Sequence, residues 1–120
     1  MPYRFAIADD EPLSVQLLSD YLSRLNEVTL VKATDDLNEI EALIDEGEVD
    51  IVLLDFNIKG AKQGHIAQIL KKRCRFIIIT AYPLAYIEDM IQKEVHGFLS
   101  KPASFSNLRL EIRKVLGKAL

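Results

Sequence analysis

Cysteine is almost missing from this chain of 120 residues: Cys74 stands alone. It can form no internal disulfide, which fits a reducing, cytoplasmic setting. Long apolar runs are missing too. The longest, Ile51–Leu54 and Phe76–Ile79, fall far short of the roughly 20 residues that span a bilayer. No charged leader with a hydrophobic stretch marks a secretory signal, so no membrane association is expected. Positive charge is not in excess: 15 Lys and Arg against 18 Asp and Glu leave a net charge of -3, which gives no electrostatic case for direct nucleic acid binding. Repeats, low-complexity tracts and linkers are also absent. A single domain over 1–120 is the expectation, since this length leaves no room for a second core.

What remains is the composition of a globular domain, 49% apolar and 28% charged. Short β-branched runs alternate with amphipathic segments. Tyr3–Ala8 reads as a first strand. A helix follows from about Pro12, a favoured first-turn residue, with Leu13, Leu17, Leu18, Tyr21, Leu22 and Leu25 on its inner face. Val28–Ala33 is a second strand, and Asp35 or Asp36 caps a second helix carrying Leu37, Ile40, Leu43 and Ile44, which Gly47 ends. Asp50–Asp55 is a third strand, apolar on both faces at Ile51–Leu54, as a central parallel strand must be.

The loop Phe56–Gly64 leads to a third helix with Ile66, Ile69 and Leu70. Arg75–Thr80 is a fourth strand, Pro83–Glu94 a fourth helix with Ile87, Met90 and Ile91 inward, and Gly97–Ser100 a fifth strand. A last helix places Phe105, Leu108, Ile112, Val115 and Leu116 on one face. Cys74 lies at a helix-to-strand turn among Lys71, Lys72, Arg73 and Arg75. Those cations would favour a reactive thiolate; the simpler reading is a small side chain at a turn, with cations complementing a helix C-terminus.

Five β–α units in series imply an α/β fold: a doubly wound (βα)5 with a five-stranded parallel sheet, of flavodoxin-like order 2-1-3-4-5. A nucleotide site would want a glycine-rich turn after the first strand. Asp9-Asp10-Glu11-Pro12 stands there instead, which argues against direct nucleotide binding.

In such sheets, sites form at the carboxyl ends of the strands, near the point where strand order reverses. Strand one ends in Asp9 and Asp10, strand three in Asp55, strand four in Thr80 and strand five in Ser100-Lys101-Pro102. Strands one and three are neighbours in the expected order, so three carboxylates would converge. Converging carboxylates repel unless neutralised. Oxygen donors without a thiolate or histidine cluster suit Mg²⁺ or a similar ion. A carboxylate beside such a metal can be a nucleophile toward a phosphoryl group, giving an aspartyl phosphate, and Lys101 could stabilise charge on the transferring oxygens. Taken singly, Asp9 and Asp10 could be acids favoured at a helix N-terminus, Asp55 a turn residue, Thr80 a strand residue and Lys101 a surface lysine. Their conjunction at four strand ends outweighs those explanations.

Through "IADDEP", "DIVLLDF", "IIITAY" and "FLSKP", the chain closely resembles the receiver domains (CheY-like) of two-component response regulators, over essentially its whole length. The resemblance implies that Asp55 accepts a phosphoryl group from a histidine kinase, a phosphotransfer protein or a small phosphodonor. Asp10 and Asp55 would ligate Mg²⁺ directly, Asp9 would hold metal-bound water, and the Asn57 backbone carbonyl would complete the protein's share. Thr80 and Lys101 would contact the phosphoryl oxygens. Phe98 takes the place of the switch aromatic, whose inward swing alters the face of the fourth helix, fifth strand and last helix, where a partner or a second copy docks. Lys101–Pro102 is a candidate cis peptide. Asn57 and Tyr82 occupy positions that tune phosphoryl lifetime, while His65 and His96 match no site position.

The chain departs from the family in two places. Ile58-Lys59 replaces the usual methionine-proline pair, and the loop to Gly64 looks about one residue longer, so a looser loop is expected. Two competing readings are a degenerate receiver that docks partners without phosphorylation and an aspartate-dependent phosphatase. The latter would need an acid/base aspartate where Asn57 stands; a switch rather than an enzyme is expected. "DDEPLSVQLLSDYL" and "TAY" also resemble receivers of LytTR-type regulators.

Overall fold

In a strand, successive side chains face opposite sides, so a strand buried at every position must be covered on both faces. Ile51, Val52, Leu53 and Leu54 are all fully buried, and each contributes about 1.5–3 kcal/mol by leaving water. A computed structural model describes residues 2–58, 60–83, 85 and 96–117, with Gln63 by its backbone alone. Its elements are β1 (Tyr3–Ala8), α1 (Pro12–Ser23), β2 (Val28–Thr34), α2 (Leu37–Asp45), β3 (Ile51–Leu54), α3 (Gln63–Leu70), β4 (Arg75–Thr80), β5 (Gly97–Ser100) and α4 (Phe105–Leu116). The strands form one parallel sheet of order β2-β1-β3-β4-β5, the expected doubly wound arrangement. Four α-helices lie among the described residues. The helix predicted over Pro83–Glu94, with Ile87, Met90 and Ile91, falls almost wholly outside them.

Strand alternation sorts the core into two layers. Ala6, Ala8, Val52, Leu54, Phe76 and Ile78 pack with Leu37 and Ile40 of α2 and Ile66 and Ile69 of α3. Phe5, Ile7, Ile51, Leu53, Ile77 and Ile79 pack with Leu18 and Leu22 of α1 and Leu108 and Ile112 of α4. One expectation about α1 is corrected. Leu13 is 79% exposed and Leu17 39%, so the inner face runs through Leu18 and Leu22, with Val15 and Tyr21 against it. Adjacent leucines at 17 and 18 lie about 100° apart on the helix, and only one of them can face the sheet.

Local chemistry sets the helix ends. Pro12 opens α1. Asp36, rather than Asp35, caps α2, its Oδ1 accepting the Asn38 N–H at 2.9 Å. Gly47 ends that helix with φ of 68°, a conformation that costs other residues.

The edge strand β5 is closed by α4. The Phe98 N–H donates to Glu111 Oε1 at 3.0 Å, which satisfies an amide that sheet edges otherwise leave free. That approach needs a glycine next door. A Cβ on Gly97 would meet Glu111 Oε1 at 2.9 Å, Val115 Cγ2 at 3.1 Å and Ile77 Cγ1 at 3.3 Å. Gly97→Ala is therefore expected to destabilise the fold by about 1–3 kcal/mol, the usual cost of overpacking. The measurement is a lowered urea midpoint at unchanged m-value; an unchanged midpoint would show that α4 is not seated this tightly on β5.

Candidate functional site

The backbone ladder of the sheet runs one residue beyond the strands and delivers the polar residues together. The Asp55 N–H donates to the Ala8 carbonyl at 2.8 Å and the Asp9 N–H to the Thr34 carbonyl at 3.1 Å. Asp9 and Asp55 thus sit side by side on adjacent strands. Across the sheet, the Lys101 N–H donates to the Thr80 carbonyl at 2.9 Å, and the Lys101–Pro102 peptide is cis, as anticipated.

From there the Lys101 ammonium reaches three carboxylates: Asp9 Oδ2 at 3.1 Å, Glu11 Oε1 at 3.2 Å and Asp55 Oδ2 at 3.3 Å. An ammonium has three donors, and each finds an acceptor here. The Asp9 and Asp55 side chains are only 2% and 5% exposed. Asp9 also accepts the Ser14 hydroxyl at 2.8 Å and the Glu11 N–H at 2.9 Å, and Asp55 accepts the Asn57 N–H at 3.0 Å. Thr80 is fully buried, and its hydroxyl oxygen accepts the Tyr82 N–H at 3.2 Å. The Tyr82 hydroxyl lies 3.5 Å from Asn57 Oδ1, linking the residues two beyond Thr80 and Asp55.

Burial pushes the Asp55 carboxyl above its ordinary pKa. The Asn57 N–H and the charge of Lys101 oppose this, and the Asp9 carboxylate adds to it. For Lys101, burial lowers the pKa, but hydrogen bonding to Asp9 and the charges of Asp55 and Asp9 outweigh it, and the net shift is upward. The ammonium therefore stays charged, and it is shared among carboxylates that outnumber it.

Oxygens of Asp9, Glu11 and Asp55 lie within 4.8 Å of one another. Three carboxylates and one ammonium leave two negative charges, which a divalent cation would balance; an all-oxygen donor set suits a hard ion. Glu11 is the member that sequence reasoning missed. Its signal, an acid directly after an acid pair, was read only as a departure from a glycine-rich turn. Asp10 was expected beside Asp55 but is not in this group; half-buried, it lines the neighbouring cleft with Ala33, Thr34 and Asp35. Phe98, half-buried on β5, packs against the α2–α3 side of the core.

The loop after Asp55 lacks the family's proline, but apolar side chains anchor it from below. Phe56 and Ile58 are each 5% exposed and join the core beside Ile66. Burial, with the nearby charge of Asp50 adding to it, pushes the pKa of the Cys74 thiol up to about 12, which favours the reading of a small side chain at a turn over a reactive thiolate. His96 is buried with Nδ1 accepting the Phe76 N–H and Nε2 facing the Leu70 carbonyl, both at 3.3 Å. His65 pairs with Glu41 of α2.

A doubly wound sheet with an acid–lysine cluster at its switch point defines a small class of proteins, and comparison with known ones narrows it. The model of the response regulator receiver domain matches residues 5–113. The chain belongs to that family. It is 22% identical over 118 residues to the transcriptional regulatory protein NatR of Bacillus subtilis (strain 168), covering 96% of this chain and 50% of NatR; it thus spans about half the length of that relative. The fold matches a chain of the CheX–CheY–BeF3–Mg²⁺ complex from Borrelia burgdorferi with a TM-score of 0.81 at 21% identity, over 97% of this chain and 90% of that one. It also matches the response regulatory domain of protein mrkE from Klebsiella pneumoniae, with a TM-score of 0.75 at 22% identity and 95% of each chain covered. No helix among the described residues is long and apolar enough to cross a membrane.

The raised Asp55 carboxyl has a thermodynamic consequence. A group whose pKa is higher folded than unfolded stabilises the fold below its unfolded value, about 3.9 for Asp, and loses that contribution as pH rises through the folded value. At neutral pH, ionised Asp55 therefore costs stability. Asp55→Asn is expected to stabilise the protein at pH 7 by about 1–3 kcal/mol, the scale for one poorly compensated buried group. The gain should vanish on acidification into the ordinary carboxyl range. Urea unfolding from pH 3 to 8 measures it; a destabilised Asn variant at pH 7 would contradict the charge balance drawn here.

Proposed function

We propose that this chain is a phosphoacceptor switch in which Asp55 takes a phosphoryl group from a histidine kinase, a phosphotransfer protein or a small acyl phosphate. The observation that carries this is the convergence of Lys101 on Asp55 and Asp9, beside a buried Thr80. An Asp55 carboxylate oxygen forms the new O–P bond. The donor's P–N or P–O bond breaks, and the imidazole or carboxylate leaves with the electron pair. Lys101 would pair with the phosphoryl oxygens, and the Thr80 hydroxyl would be their neutral donor. Asp9 and Asp55, together with Asp10 and the Asn57 carbonyl of the family pattern, would hold Mg²⁺, which supplies neutralisation of charge on the transferring oxygens. Tyr82 and Asn57, in contact at 3.5 Å, form the rim that meets water and donor alike.

The output is a change in partner binding, not turnover. The acceptor is a stoichiometric residue, and Asn57 supplies no acid/base carboxylate for rapid hydrolysis. Phosphorylation biases two conformations by interacting better with one of them. Thr80 and Phe98 lie on neighbouring strands, with Ile78 opposite Phe98 and Thr80 opposite Ser100, and the Phe98 N–H is tied to α4 through Glu111. A shift at Thr80 therefore has a short route to the β5–α4 face, the proposed docking surface for a partner or a second copy. Beryllofluoride with Mg²⁺, which mimics the acyl phosphate, is expected to move the amide resonances of Thr80, Phe98 and Lys101. Asp55→Asn should abolish those shifts. An unresponsive parent protein, or a full response in the variant, would defeat the proposal.

A further inference from the structure

Glu11 is an unusual choice for its place in the chain. It is the N-cap residue of α1, yet its side chain makes no capping bond. Asp, Asn, Ser and Thr are favoured at an N-cap because a short side chain can turn back onto the first free amides. The Glu11 N–H is itself accepted by Asp9 at 2.9 Å, and Pro12, which opens the helix, has no N–H to satisfy. The longer glutamate side chain is turned away from the helix, and its carboxylate meets Lys101 Nζ at 3.2 Å.

The three carboxylates on Lys101 are not equivalent. Asp9 and Asp55 are walled in and have other hydrogen-bond donors. Glu11 is 65% exposed, and among the described residues its carboxylate hydrogen-bonds Lys101 alone. It stands at the mouth of the site, with an oxygen within 4.8 Å of those of Asp9 and Asp55. Two consequences follow. Glu11 draws on the same ammonium that a phosphoryl group must recruit. It also sets a negative charge on the path of every incoming phosphodonor, at a range where partly screened charges still act strongly.

We infer that Glu11 is a specificity-determining residue that selects phosphodonors by charge, competing for Lys101 and disfavouring the more anionic donors. The inference rests on the reading of Asp55 as acceptor and adds a role for a residue outside the expected set. Acetyl phosphate, a dianion, transfers its phosphoryl group to Asp55 with acetate leaving on the electron pair of the broken P–O bond. Phosphoramidate, a monoanion at neutral pH with its nitrogen already protonated, transfers the same group with ammonia leaving. The bond formed is identical, so the difference between donors reports on charge at the mouth.

The test measures the rate of Asp55 phosphorylation with each donor, in Mg²⁺ buffer, by intact-protein mass. The proteins compared are the parent chain, Glu11→Gln and Glu11→Asp. Glu11→Gln is expected to speed phosphorylation by acetyl phosphate roughly three- to tenfold and by phosphoramidate less, and the gain should shrink as salt rises. Glu11→Asp keeps the charge and should keep the parent's preference between donors. An equal change with both donors, or a salt-independent one, would overturn the assignment and leave Glu11 a structural residue. If the parent takes phosphate from neither donor, the acceptor reading itself fails and this inference with it. If the parent is phosphorylated but the preference is unmoved in Glu11→Gln, only the role of Glu11 fails.

Discussion

One ammonium facing three carboxylates is the constraint around which this domain is arranged. Lys101 lies within 3.3 Å of Asp9, Glu11 and Asp55, acids brought in from two different loops, with the lysine itself from a third. Burying such charges is costly unless they are paired and hydrogen-bonded, and no single element could do this alone. The reversal of strand order places β1 beside β3, so Asp9 and Asp55 are neighbours. The Thr80–Lys101 backbone bond then sends the lysine across β4 to meet them. The balance is incomplete by design of the residue set: an excess of negative charge remains, which suits a divalent cation.

The rest of the fold keeps this cluster rigid. β3 carries Asp55 on a strand whose four residues are all fully buried, so the acceptor has a fixed base. Phe56 and Ile58 sink into the same core and anchor the start of the loop that follows. At the far side, Glu111 and Gly97 bind α4 to the edge strand. The acid–lysine cluster and the β5–α4 face are thus joined through β4 and β5, two paired strands with little freedom to absorb a displacement locally.

Much of this was legible in the sequence. The apolar run Ile51–Leu54 announced a central parallel strand, and the β–α alternation led to the observed strand order. Asp9, Asp55, Thr80 and Lys101 were recognisable because strand ends are where such folds place chemistry. Side-chain reach was not legible. Glu11 looked like part of an acidic turn, and only the path of a lysine some 90 residues later reveals its partner. Glu111 carried no signal in the sequence, because its bond to Phe98 depends on how closely α4 approaches β5. Leu17 failed for a simpler reason. Consecutive leucines satisfy several helical faces at once, and packing against the sheet, not periodicity, selects the buried one.

The central claim is that Asp55 is the residue that becomes phosphorylated. Borohydride reduces an aspartyl phosphate to homoserine and so marks the site permanently. After incubation with acetyl phosphate and Mg²⁺ followed by reduction, peptide mass mapping should find homoserine at position 55 and at no other aspartate. Homoserine at Asp9 or Asp10, or an unmodified Asp55 under these conditions, would contradict the account.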